Sequence, residues 1–182
     1  MKSTLKPALF FDRDGVVNVS PGAGYVTSVE DFHLMPGIAE VLAWGKTKGF
    51  FLVLVTSQQG VGKGLMTQET LDAIHAHLQE TLAREGASFD LIRSCTHLAG
   101  SCDCRKPSPQ MILDAASILP INLAASALVG DHDRDIQMAR NAGLAFAVRL
   151  ASDNPVSETG DVLAHSILEV WTALKNWEAK QA

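Results

Sequence analysis

Short apolar runs alternate along the chain with stretches in which apolar residues recur every three or four positions. Ala8–Phe11 is an apolar run stopped by Asp12. Phe50–Val55, Phe89–Ser94, Ala127–Val129 and Ala145–Val148 are similar runs, each of a length suited to a strand covered on both faces. Between them lie helical patterns. Pro36-Gly37 opens one that reaches about Lys48 and stops at Gly49. Thr67–Glu85 places Leu71, Ile74, Leu78 and Leu82 on one face, and Gly86 closes it. Ser108-Pro109 reads as an N-cap and first turn, followed by Ile112 and Ala116. Asp133–Ala142 ends before Gly143, and Leu163–Trp177 carries Ile167, Trp171 and Leu174 on one stripe. The order βαβαβαβαβα predicts a three-layer, Rossmann-like α/β fold, a parallel sheet with helices on both faces. No repeat or linker divides the chain, so one domain over residues 1–182 is expected.

In such sheets ligands bind beyond the carboxyl ends of the strands. The residues that follow each strand therefore carry the chemistry. After the first comes Asp12-Arg13-Asp14-Gly15, where residues two apart point to the same side, roughly 7 Å apart along the chain. Two carboxylates so spaced can flank a small group, although Asp-Gly also suits a solvated turn. After the second comes Thr56-Ser57-Gln58-Gln59-Gly60, whose hydroxyls and backbone N–H groups can hold phosphate oxygens. Arg105-Lys106-Pro107 precedes the fourth helix and offers two cations. Gly130-Asp131-His132-Asp133-Arg134-Asp135 follows the fourth strand. Its three alternating acids suit a divalent cation, with Asp133 as helix cap and Asp135 near the helix dipole as the plainer reading. Ile136 and Ala142 stand where an EF-hand needs Gly and Glu. Gly60-Val61-Gly62-Lys63-Gly64 lacks the outer Gly and the Ser or Thr of a P-loop.

The three cysteines all fall in one window. Cys95-Thr96-His97 is followed by Cys102-Asp103-Cys104, a Cys₃His donor set suited to a closed, tetrahedral, structural zinc site. With no Cys-x-x-Cys pair and a histidine among the donors, a redox role fits less well. The formal net charge of −5 disfavours nucleic acid and anionic membranes as partners. No apolar run nears the ~20 residues of a membrane span, and the one before Asp12 is too short for a signal peptide. A cytoplasmic monomer is the expectation.

Acid pair, hydroxyl, lysine and acid, in that order after successive strands over residues 8–150, resemble the four signature motifs of the haloacid dehalogenase superfamily. The resemblance implies a Mg²⁺-dependent phosphoric monoester hydrolase. Asp12 would be nucleophile, Asp14 general acid/base, and Thr56 and Lys106 the phosphoryl holders. Asp12, Asp131 and the backbone carbonyl of Asp14 would hold the metal. The Cys/His loop running into Arg-Lys-Pro is similar to the branch of heptose 1,7-bisphosphate phosphatases and histidinol-phosphatases, which lack a large cap. That branch implies a small phosphorylated metabolite as ligand, a sugar bisphosphate in particular, with histidinol phosphate as the alternative. Gly24 and Tyr25 resemble its substrate loop, and Ser57, Gln58, Arg105 and His132 take the remaining substrate positions. Ser57 departs from the usual Asn of the branch, and His132 from its usual Lys or Arg. A non-catalytic phosphate-binding module on the same fold is the reading from another class, which the complete motif set argues against.

Overall fold

The computed structural model describes residues 4–181. Its centre is a sheet of six parallel strands in the order β3-β2-β1-β4-β5-β6. The strands are β1 (Ala8–Phe11), β2 (Phe51–Ser57), β3 (Leu91–Cys95), β4 (Ala127–Gly130), β5 (Phe146–Leu150) and β6 (Val162–Ala164). The helices are α1 (Ile38–Thr47), the short α2 (Gln59–Gly62), α3 (Gln68–Arg84), α4 (Gln110–Ile118), α5 (Asp133–Asn141) and α6 (Ile167–Glu178).

The period-two alternation of a strand divides the apolar residues between two cores. Leu9, Phe11, Leu52 and Leu54 face α1, α3 and α6, joining Ile38, Leu42, Leu71, Leu78 and Leu174. Ala8, Phe10, Val53 and Val55 face the other way, onto Met111 and Ile112 of α4 and Ile136 of α5. Because both faces are covered, the strands read as unbroken apolar runs in the sequence.

Three elements differ from expectation. Leu163 does not open the last helix; with Val162 and Ala164 it forms β6, paired in parallel with Val148–Leu150. Three residues are too few to announce a strand, and Ser166 caps α6 by accepting the Glu169 N–H at 3.2 Å. Pro109, already at helical φ and ψ, takes the cap position of α4, while Ser108 Oγ still accepts the Gln110 N–H. At α5 the cap is His132, not Asp133. On α6, Trp171 is half-buried while Trp177 is buried and stacks on Phe146. The connections after Asp14 and after Thr56 hold no inserted domain, in keeping with the expected absence of a large cap.

Topology places the site. The chain builds β1, β2 and β3 outward in one direction, then returns to lay β4 on the other side of β1. The strand ends diverge at that reversal, opening a crevice between β1 and β4. Phe11 pairs with Val129, and the Asp12 N–H donates to the Val129 carbonyl at 3.0 Å, so Asp12 and Asp131 leave the sheet side by side. Thr56 leaves it from β2, the neighbour on the opposite flank of β1.

Leu52 is fully buried in the larger core, whereas Leu168 on α6 is 67% exposed. Leu52→Ala should therefore cost about 2–5 kcal/mol in urea unfolding, and Leu168→Ala less than about 0.5 kcal/mol. Comparable losses in the two variants would contradict this burial.

Candidate functional site

Three acids and one amine meet at the carboxyl edge of the sheet. Lys106 Nζ stands between Asp12 Oδ1 at 2.6 Å and Asp135 Oδ1 at 2.7 Å, with its side chain 1% exposed. Asp12, Asp131 and Asp135 are all buried and can bring one carboxylate oxygen each within 4.8 Å of the others. Such crowding needs close backbone approach. Gly15 has φ +84°, and a Cβ there would lie 2.5 Å from Asp131 Oδ2. A Cβ on Gly130 would lie 2.2 Å from that of Asp135. Both positions therefore require glycine.

Three carboxylates and one ammonium leave an excess of negative charge in a buried place. Burial, then the charge of Asp135, pushes the Asp12 carboxyl up to about 7, against the opposing pull of Lys106. Asp131 is raised for the same two reasons. A hard divalent cation suits this oxygen donor set and offsets that charge. Asn154 Nδ2 donates to Asp131 Oδ2 at 3.0 Å and Ser152 Oγ to its backbone carbonyl, fixing that carboxylate from the loop after β5.

The Asp14 side chain stands apart from this cluster. Arg13, fully buried, grips it through Nε at 3.1 Å and Nη2 at 3.0 Å. Gln58 Nε2 donates both to Asp14 Oδ2 at 2.9 Å and to Thr56 Oγ1 at 2.8 Å. Behind Arg13 lies His75, whose imidazole is pushed down to about 4 by burial and then by the guanidinium charge. Neither Arg13 nor His75 stands out in the sequence. A buried polar network of this kind has no periodic signature from which to find it.

A cavity of about 840 Å³ opens above these groups, with Asp12, Asp14, Thr56, Lys106 and Asp131 on its wall. Gly24, Tyr25, Ser57 and Arg105 also line it, as expected of substrate contacts. Tyr25 is held over α2, its hydroxyl accepting from Lys63 Nζ at 3.1 Å. Two of the expected substrate contacts lie off the cavity wall. Gln58 is fully buried and spends its amide N–H groups on Asp14 and Thr56. His132 is outside the cavity wall; its Nδ1 accepts the Arg134 N–H at 3.4 Å as the cap of α5, and Arg134 lines the cavity instead. Burial and then Arg134 hold the His132 imidazole below its usual range. Asp135 completes the capping box, accepting the His132 N–H at 3.0 Å. Asp133 faces away, binding the buried Arg149 and the backbone of Ser157 and Glu158.

The second cluster lies at the end of β3. Cys95, His97, Cys102 and Cys104 each offer a donor within 4.8 Å of the rest. The sulfurs stand 3.1 Å (Cys95–Cys104), 3.2 Å (Cys102–Cys104) and 3.5 Å (Cys95–Cys102) apart, and His97 Nδ1 is 3.4 Å from Cys104. These spacings exceed the ~2.05 Å of a disulfide and approach the edge of a tetrahedron around an ion with ~2.3 Å metal–sulfur bonds. Burial and the two neighbouring thiols push Cys104 up to about 12, the signature of a donor set that needs a cation to ionise together.

Comparisons with known proteins agree with this geometry. Residues 103–154 match a family model described as "HAD-hyrolase-like". The chain is 37% identical over 172 residues to D-glycero-beta-D-manno-heptose-1,7-bisphosphate 7-phosphatase of Vibrio cholerae, covering 90% of this chain and 91% of that one. It is 40% identical over 155 residues to the protein of the same name from Helicobacter pylori, covering 84% and 87%. The crystal structure of D,D-heptose 1,7-bisphosphate phosphatase from B. bronchiseptica, complexed with magnesium and phosphate, superposes with a TM-score of 0.82 at 31% identity, over 94% of this chain and 99% of that one. The chain thus belongs to the haloacid dehalogenase superfamily of hydrolases, in the family of the heptose 1,7-bisphosphate phosphatases.

Proposed function

We propose that the chain is a Mg²⁺-dependent phosphatase that removes the 7-phosphate of D-glycero-D-manno-heptose 1,7-bisphosphate through an aspartyl-phosphate on Asp12. The observation that carries this reading is the buried Asp12–Lys106–Asp131–Asp135 cluster at the floor of an open cavity. Relatives sharing 35–40% identity bear the name of that activity.

The chemistry follows from the charges. A phosphate dianion repels an attacking carboxylate; at 4 Å, two unit charges cost about 4 kcal/mol at an effective dielectric of 20. Asp12, Asp131 and the backbone carbonyl of Asp14 would hold a Mg²⁺ ion, which would supply the positive charge that offsets this repulsion. Lys106 and Thr56 bind the phosphoryl oxygens, and the Lys106–Asp12 contact orients the nucleophile. Asp12 forms a bond to phosphorus as the ester P–O bond breaks, and Asp14 gives its proton to the departing alkoxide. Asp14 then takes a proton from the water that hydrolyses the acyl phosphate. Arg13 and Gln58 hold the Asp14 carboxyl in place for both transfers.

Zinc held by Cys95, His97, Cys102 and Cys104 would be structural, because four protein donors leave no open position. Arg105 and Lys106 follow Cys104 directly, so such an ion would anchor the loop that delivers them. Three unpaired thiols suit a reducing compartment, which supports a cytoplasmic location. Among the described residues no helix is long and apolar enough to cross a membrane.

Phosphate release from the heptose bisphosphate in Mg²⁺ should exceed that from histidinol phosphate by at least about tenfold in kcat/KM. The reverse order would assign the alternative substrate. In the same assay Asp12→Asn should lose at least about 10³-fold in kcat while keeping the wild-type circular dichroism. Near-normal turnover in this variant would refute the nucleophile.

With its pKa raised above the ordinary carboxylate value of 3.8 to about 7, Asp12 keeps in the fold a proton that the unfolded chain has lost. Metal-free stability should therefore decline as pH rises across that window. Mg²⁺ competes with the proton, so it should raise Tm more at about pH 8 than at about pH 5.5. A pH-independent increment would count against this electrostatic account.

Protein purified without oxygen should contain about one zinc per chain by elemental analysis, and Cys104→Ser should lower both zinc content and Tm. Metal-free wild-type protein with an unchanged Tm would dismiss the site.

A further inference from the structure

The cavity carries two guanidinium groups that the phosphoryl chemistry leaves unused. Lys106 is committed to Asp12 and Asp135 at the floor. Arg105 and Arg134 also line the cavity, and neither is among the ion pairs of the described residues. Both side chains are half-buried. Arg105 Nη1 and Arg134 Nε are shielded from solvent and meet no hydrogen-bond acceptor. A buried donor left without an acceptor costs about 1–3 kcal/mol, and more when it is charged. The three carboxylates that flank Arg134 along the chain are already engaged. Asp131 accepts from Asn154, Asp133 turns back to Arg149, and Asp135 holds Lys106. Asp153 sits exposed at the rim and pairs with neither arginine. An anion bound in the cavity would supply that acceptor.

At this corner the cation on the cavity wall is Arg134, not His132. His132 has its Nδ1 occupied by the Arg134 N–H and lies off the cavity wall. The charge is delivered two residues later, from within the first turn of α5. A guanidinium presents a planar fork of donors that matches two phosphate oxygens at once, which an imidazole does not. The cavity volume of about 840 Å³ leaves room for a sugar between this corner and Asp12.

We propose that Arg134 joins Arg105, already placed among the substrate positions by the family resemblance, in binding the substrate phosphate that is not transferred, and that Arg134 is a specificity-determining residue. This rests on the sugar-bisphosphate reading above and adds to it the side chain that recognises the second anion.

The test compares two substrates on the Mg²⁺-loaded protein: D-glycero-β-D-manno-heptose 1,7-bisphosphate, with two anionic groups, and p-nitrophenyl phosphate, with one. In Arg134→Ala the ratio of kcat/KM for the bisphosphate to that for the aryl phosphate should fall at least about tenfold, mainly through KM of the bisphosphate. Arg134→Lys should recover part of the ratio. Arg140→Ala, which alters an exposed arginine of the same helix paired with Asp161, should keep the wild-type ratio. A ratio in Arg134→Ala within about twofold of wild type overturns the assignment while the phosphatase reading stands. If wild-type protein shows no preference for the bisphosphate, the substrate reading fails instead. The arginine is then judged by inhibition of aryl phosphate turnover with 1,6-hexanediol bisphosphate and with hexyl phosphate. Selective weakening of the bisphosphate inhibitor in Arg134→Ala supports the second-anion site, and equal inhibition of both proteins overturns it. Should the alanine variant lose cooperative unfolding, Arg134→Gln, which keeps most of the stem, takes its place under the same criteria.

Discussion

The repulsion among three buried carboxylates governs this molecule. Asp12, Asp131 and Asp135 are brought together by the sheet, and one ammonium cannot neutralise them. Folding energy from the two cores holds this cluster closed against its own charge. The arrangement is thereby poised to accept positive charge and to release a proton from Asp12 when it does so. Gly15 and Gly130 are part of the same device, since each removes a side chain where two segments would otherwise be forced apart.

Around this cluster the fold separates duties by strand. β1 and β4 carry the carboxylates and β2 carries the hydroxyl, while the lysine arrives on a loop fixed by the thiol and imidazole cluster after β3. The loop after β5 contributes Asn154 and Ser152 to hold Asp131. That loop is in turn fastened by Arg149, fully buried, which binds Asp133 and the carbonyls of Pro155 and Glu158. Each reacting group is thus supported by a neighbour contributed from elsewhere in the chain.

What could be read from the sequence was what depends on position along a strand. Asp12, Thr56, Lys106 and Asp131 each follow a strand or precede a helix, and the alternation of apolar runs was enough to bring them to one edge. The Cys/His set was legible from spacing alone. What escaped depends on burial and on distant contacts. Arg13 and Gln58 look like surface residues until they are found with no exposure, and Asn154 lies in a loop whose path no local pattern fixes. Asp135 was noticed as an acid near a helix dipole. From the first turn of α5 its carboxylate also turns back onto Lys106, a contact between distant segments that no local spacing marks. At His132 the branch pattern invites a substrate contact, whereas the imidazole caps α5, a role the sequence pattern does not distinguish. The sixth strand was lost to its brevity.

Gln58 carries a further implication. One amide nitrogen is shared between the hydroxyl of Thr56 and the carboxyl of Asp14, with no solvent reaching it. Holding the phosphoryl group and moving protons are therefore mechanically joined through a single planar group. Rotation of that amide would loosen both partners at once, so affinity for the ester and the timing of protonation cannot drift independently through changes at this position.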